Sequence, residues 1–153
     1  MTILDKAPWM TLSGEEVGNI RQKINNLMKG DTFTLHVGTD TKPYSDATTL
    51  ITTICFRENR KGALVVYQKR KINVFPSVLD RLLYEAVTSL ELAEELRELT
   101  GIRCTIHADV NPGEKNLSNR VADAIMGMVN GMGYEVLIKP DAWAADIADM
   151  YTR

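Results

Sequence analysis

Apolar positions along the chain fall into two periods, and each period predicts its own kind of element. Val17, Ile20, Ile24 and Leu27 recur at helical spacing, and Ser13 followed by Glu16 has the spacing of a capping box. A helix over about 14–28 follows, ended by Gly30. Phe33 to Asp40 reads as a strand leading into a turn-rich segment, Thr41 to Asp46. Two β-branched runs, Thr48 to Phe56 and Ala63 to Tyr67, flank a polar stretch and predict a hairpin. Ser77 and Asp80 repeat the capping pattern ahead of an apolar stripe (Leu79, Leu82, Leu83, Ala86, Val87, Leu90, Ala93) that reaches about Leu99 before Gly101. Arg103 to Ala108 is a fourth strand, Leu117 to Met132 a helix and Tyr134 to Ile138 a fifth strand. Pro140 then leads into a last helix.

The order is helix, three strands, helix, strand, helix, strand, helix. It predicts an α/β fold whose first three strands are antiparallel and whose later strands run parallel to the first, a five-stranded mixed sheet between helical layers. With 153 residues, one domain over 1–153 carrying an additional N-terminal helix is the economical organisation. Other mixed α/β folds fit the same pattern.

The acids give that framework its chemistry. Asp40 ends the first strand, Asp109 the fourth, and Asp141 follows the fifth, so parallel strands place all three at one end of the sheet. The central helix starts at that end. Glu85 lies in its early turns, whereas Glu91 is about 9 Å farther along at the helical rise. In the last helix Asp141 and Asp149 both rank ahead of Asp146 as a further acid. Converging carboxylates repel one another, and hard divalent cations such as Mg2+ or Mn2+ relieve that repulsion. Asp40, Glu85, Asp109 and either Asp141 or Asp149 are therefore the expected metal ligands and catalytic residues, suited to phosphodiester hydrolysis.

Net charge is −2, so bulk charge points to no partner. Local charge is more informative: Arg57, Arg60 and Lys61 surround one turn, and Lys69, Arg70 and Lys71 follow the next strand, where they would contact nucleic-acid phosphates. His107 shares a strand face with Asp109 and is a candidate to orient an acid or a phosphate. Cys55 and Cys104 lie apart within apolar runs and read as buried free thiols. No apolar run reaches membrane-spanning length and the first residues lack a signal-peptide pattern, so a cytoplasmic protein with no membrane partner is expected.

Four segments carry a family resemblance: His36-Val37-Gly38-Thr39-Asp40, Arg81-Leu82-Leu83-Tyr84-Glu85, Ile106-His107-Ala108-Asp109-Val110 and Gly133 to Asp141. In this order, with the closing Ala148-Asp149-Met150-Tyr151-Thr152, the chain from about His36 resembles the YkuK-type family of ribonuclease H-like, RuvC-related proteins. The resemblance implies a ribonuclease H-like fold and divalent-metal-dependent nuclease chemistry. Asp40, Glu85 and Asp109 then match the first-strand, helix and fourth-strand acids, and Asp141 or Asp149 the final one. Asn111 to Ser118 departs from the glycine- and serine-containing loop expected there, which bears on substrate contacts. Because ribonuclease H folds also serve other roles, a non-catalytic nucleic-acid-binding or protein-interaction domain is the alternative.

Overall fold

A computed structural model describes residues 2–29, 33–58, 62–110 and 116–144, with side chains in the last span described from Arg120 onward. Three strands of 11 residues form its centre: β3 (Phe33–Pro43), β4 (Thr48–Glu58) and β5 (Gly62–Ile72), each antiparallel to the next. The chain then crosses through α2 (Val78–Thr100) to β6 (Thr105–His107), and through α3 (Asn116–Gly131) to β7 (Glu135–Leu137). β6 lies parallel to β3, and β7 parallel to β6. Ser77 accepts a hydrogen bond from Asp80 N at the start of α2, and Gly101 closes that helix at φ +76°, a conformation glycine adopts without strain.

The sheet corrects the five-strand expectation, because it has seven strands in the order β2-β1-β5-β4-β3-β6-β7. β1 (Trp9–Thr11) adds antiparallel to β5, and β2 (Glu16–Val17) adds to β1. The same residues explain why no helix begins at Ser13. Thr11 and Glu15 close a tight turn around Gly14, at φ +89°, and Ser13 Oγ lies 2.8 Å from Thr11 Oγ1 instead of capping a helix. Helix α1 runs from Ile20 to Met28 and is capped by Asn19, whose Oδ1 accepts from Gln22 N at 3.0 Å.

Buried polar groups hold this N-terminal arm. The Glu95 carboxylate on α2 accepts from Ile3 N and Leu4 N at 2.8 and 2.9 Å, within a short 3₁₀ turn at Ile3–Asp5. Gln68 on β5 donates to Ile3 O and Ala7 O, and the buried Trp9 donates to Leu4 O. Each contact satisfies a backbone group that burial would otherwise leave unpaired.

Alternation divides the sheet into two faces. Leu35 and Val37 pack with Ile54, Phe56 and Val66 against Ala86, Leu90 and Ala93 of α2 and Val121, Ile125 and Val129 of α3. The opposite parity puts His36, Gly38 and Asp40 of β3 on the second face, together with the buried Ile51, Cys55 and Val65. Both cysteines are buried free thiols, and burial pushes Cys55 up to about 11 and Cys104 up to about 12. No helix among the described residues is long and apolar enough to cross a membrane.

Candidate functional site

β3 continues three residues beyond Asp40, and this extension builds the site. Thr41, read from sequence as the start of a turn, pairs with Leu50 and turns its side chain toward α2, where its hydroxyl donates to Glu85 Oε2. Arg81, one helical turn before Glu85, donates to the same hydroxyl at 3.2 Å. Two residues back on β3, Thr39 meets Ser89 at 2.7 Å. The threonine spacing of two on the strand thus matches the helical spacing of four on α2.

Glu85 is buried, and burial is the main reason its carboxyl is pushed up to about 8. The Thr41 hydrogen bond works against that rise, Asp40 adds to it, Arg81 opposes it and Asp109 adds to it. Asp40 and Asp109 therefore both lie within electrostatic reach of Glu85, which is mainly protonated at neutral pH. Asp109, two residues beyond β6, forms an ion pair with Lys139 Nζ at 2.7 Å. The register explains the partnership: His107 pairs with Leu137, so the residues two further on in each chain stand side by side. Asp141 is exposed in the turn after β7, behind a cis Lys139–Pro140 peptide. Asp149 and Asp146 fall outside the described residues.

The described residues alone do not complete a divalent-metal site. Among the described residues no three His, Cys, Asp or Glu side chains form a group able to hold a metal ion. The enclosed space bordered by Glu85, Asp109, His107 and Ser89 is about 10 Å³, close to the room one water needs. Glu85 carries a proton and Asp109 a lysine. The charges of those two acids are thus offset.

The basic candidates separate into two ends of the sheet. Arg57 pairs with Thr34 and Ala63, six positions along β3 from Asp40 and thus about 20 Å away. Its guanidinium lies 6.0 Å over the Trp143 ring, so it helps to pack that residue. Arg60 and Lys61 fall outside the described residues. Lys69, Arg70 and Lys71 are at the acid end. Asp40, Ile51 and Lys69 form one row across three strands, Thr41, Leu50 and Arg70 the next, and Lys42, Thr49 and Lys71 the third. Two strand spacings put these positions about 10 Å from β3. Arg70 Nε and Nη2 are buried without a hydrogen-bond partner among the described residues.

His107 turns away from the role of orienting an acid. Its Nδ1 accepts from Trp143 N at 3.0 Å, which places its proton on Nε2, and that proton is donated to His36 Nδ1 at 3.0 Å. His36 Nε2 then donates to Thr34 Oγ1, and the Thr34 hydroxyl to Arg57 O. Both imidazoles are neutral in this one-directional chain. Burial pushes His107 down to about 4, with His36 adding to the effect, and lowers His36 as well.

The model of the Ribonuclease H-like family matches residues 18–153. The chain belongs to that family. The match starts earlier than the His36 boundary read from sequence and takes in α1. Among curated proteins, the uncharacterized protein YkuK of Bacillus subtilis (strain 168) is 26% identical across an alignment covering 79% of this chain and 80% of the relative. Within this ribonuclease H-like chain, the residues that sequence reasoning missed are Thr41, Arg81, Lys139 and Trp143. Lys139 was the most accessible of them, since it follows a parallel strand as closely as Asp109 does.

Proposed function

We propose that this ribonuclease H-like chain is a nucleic-acid-binding domain that engages phosphates at the acid end of its sheet. The observation that carries this reading is the register of Lys42, Lys69 and Lys71 beside Asp40 on one face of the sheet, with Arg81 on the adjoining helix turn. A bare cluster of carboxylates would repel a polyanion. Here a proton on Glu85 and the Lys139 ammonium on Asp109 remove most of that repulsion, and the surrounding cations supply attraction.

The test is fluorescence anisotropy of a labelled oligonucleotide over a series of salt concentrations. The logarithm of affinity should fall linearly with log salt, and Lys69→Gln with Lys71→Gln should flatten the slope by roughly 1.4, about 0.7 for each single-strand phosphate no longer neutralised. Arg57→Gln, at the other end of the sheet, should leave the slope unchanged. Salt-independent binding, or an equal loss from Arg57→Gln, would reject the interface.

Metal-dependent phosphodiester hydrolysis is the second reading, favoured by the action of both Asp40 and Asp109 on Glu85. Mg2+ or Mn2+ would be its cofactor, and Asp141 or Asp149 its fourth acid. It requires Asp109 to exchange Lys139 for a metal. Under this reading a panel of RNA, DNA, hybrid and branched substrates should show cleavage that depends on added metal. Asp109→Asn should reduce it by about 100-fold or more. Metal-independent cleavage, or activity unchanged in the variant, would reject it.

A further inference from the structure

Beside the phosphate rim, the connection from β5 to α2 leaves an open pocket of about 510 Å³ bounded by Lys71, Ile72, Asn73, Val74, Phe75 and Tyr84. Its apolar side chains are uncovered: Val74 is 50% exposed and Tyr84 37%. Phe75 and Tyr84 both border the pocket with ring centroids 5.2 Å apart and planes inclined at 56°, a tilted pair in which Tyr84 keeps exposed aromatic surface. Asn73 is exposed at the same opening and brings an amide with both donors and an acceptor. Leaving this much apolar surface in water costs about 25 cal/mol per Å², which an occupant would recover.

We propose that this pocket receives an unpaired nucleobase from a single-stranded nucleic acid. The inference rests on the nucleic-acid reading above and narrows it to a strand class. Bases inside a duplex stack on their neighbours and offer no face to a protein ring, whereas a single strand presents every base face. Tyr84 and Phe75 provide the stacking surface and Asn73 a hydrogen-bonding edge. Lys71 at the pocket and Arg81, one turn before Tyr84 on α2, hold the flanking phosphates. A second copy of this chain is the competing occupant. A two-fold contact centred here would bring the Lys69, Lys71 and Arg81 group close to its own image, so like charges would oppose docking.

The experiment uses the full chain and two fluorescent probes of equal length, an oligo-dT strand and a blunt DNA duplex, at fixed salt. Oligo-dT should bind at least about tenfold more tightly than the duplex. Tyr84→Ala should weaken oligo-dT binding by about tenfold with its salt slope unchanged, since a stacked base and not a phosphate is released. Tyr84→Trp should restore the affinity, and the new indole should be quenched when oligo-dT binds. Circular dichroism confirms that each variant is folded. If neither probe binds, the nucleic-acid reading fails and this inference with it. If both probes bind equally and Tyr84→Ala changes neither, while Lys69→Gln and Lys71→Gln flatten the salt slope, the wider reading stands and the base pocket is overturned. A concentration-dependent dimer that Tyr84→Ala dissociates, with no change in oligo-dT affinity, would assign the pocket to self-association and overturn it equally.

Discussion

Glu85→Gln should stabilise the protein at pH 7 by about 3 kcal/mol, with the gain growing as pH rises toward 8. The folded state holds the Glu85 proton up to about 8, whereas an unfolded glutamate releases it near 4.5. Between those values the folded state binds one more proton than the unfolded state, so wild-type stability falls as pH rises. Glutamine keeps the shape and still accepts from Thr41, but has no proton to lose. Urea unfolding followed by circular dichroism at half-unit pH steps measures the difference. A variant less stable than wild type at pH 8 would mean that the ionised carboxylate is held by a favourable partner.

His107→Phe should act in the opposite sense, destabilising by about 3 kcal/mol at pH 7, because Trp143 N–H and His36 Nδ1 both lose their buried partner. Acid should erase the difference. An unfolded histidine gains its proton near 6.5 and His107 only near 4, so the unfolded state binds the extra proton between those values. Wild-type stability contributed by this group therefore falls as pH drops, by about 3 kcal/mol in all, while phenylalanine loses none. His36, shifted in the same direction, adds to the wild-type loss. From pH 4.5 to 6.5 the Glu85 and His107 contributions slope in opposite directions, so each substitution tilts the wild-type profile differently. A wild type and a His107→Phe variant separated by the same amount at pH 4 and pH 7 would show that His107 is not held neutral.

The acids were readable in the sequence because strand ends and the first turns of a helix are fixed by local pattern. Asp40, Glu85 and Asp109 needed only the strand directions to be placed at one end. Thr41 was not readable: Lys42-Pro43 resembles a turn, and only pairing with Thr48 and Thr49 on β4 keeps that segment extended. The His36–His107 contact spans 71 positions and depends on the register between β3 and β6, which neither strand encodes alone. Parity within β6 associated His107 with Asp109, but the neighbouring strand supplied a closer partner. The metal expectation followed from carboxylate repulsion. What the acids' own positions could not reveal is that a proton and Lys139 offset the charges of Glu85 and Asp109 here. The missing strands have a simpler cause: Trp9–Thr11 and Glu16–Val17 are too short to show any period, and tertiary hydrogen bonds determine their conformation.

Those two short strands also decide which edge of the sheet other chains meet. The family match begins at residue 18, immediately after β2, so the segment Trp9–Val17 lies in front of the matched residues. Without it, β5 would be a border strand offering the unpaired amides and carbonyls of Val66, Tyr67 and Gln68 as a template for any extended chain. The segment moves the border to a strand of only two residues, too short to nucleate a further ladder. Protection of that β5 edge from edge-to-edge pairing is thus a property of the N-terminal arm, held in place by Glu95, Gln68 and Trp9.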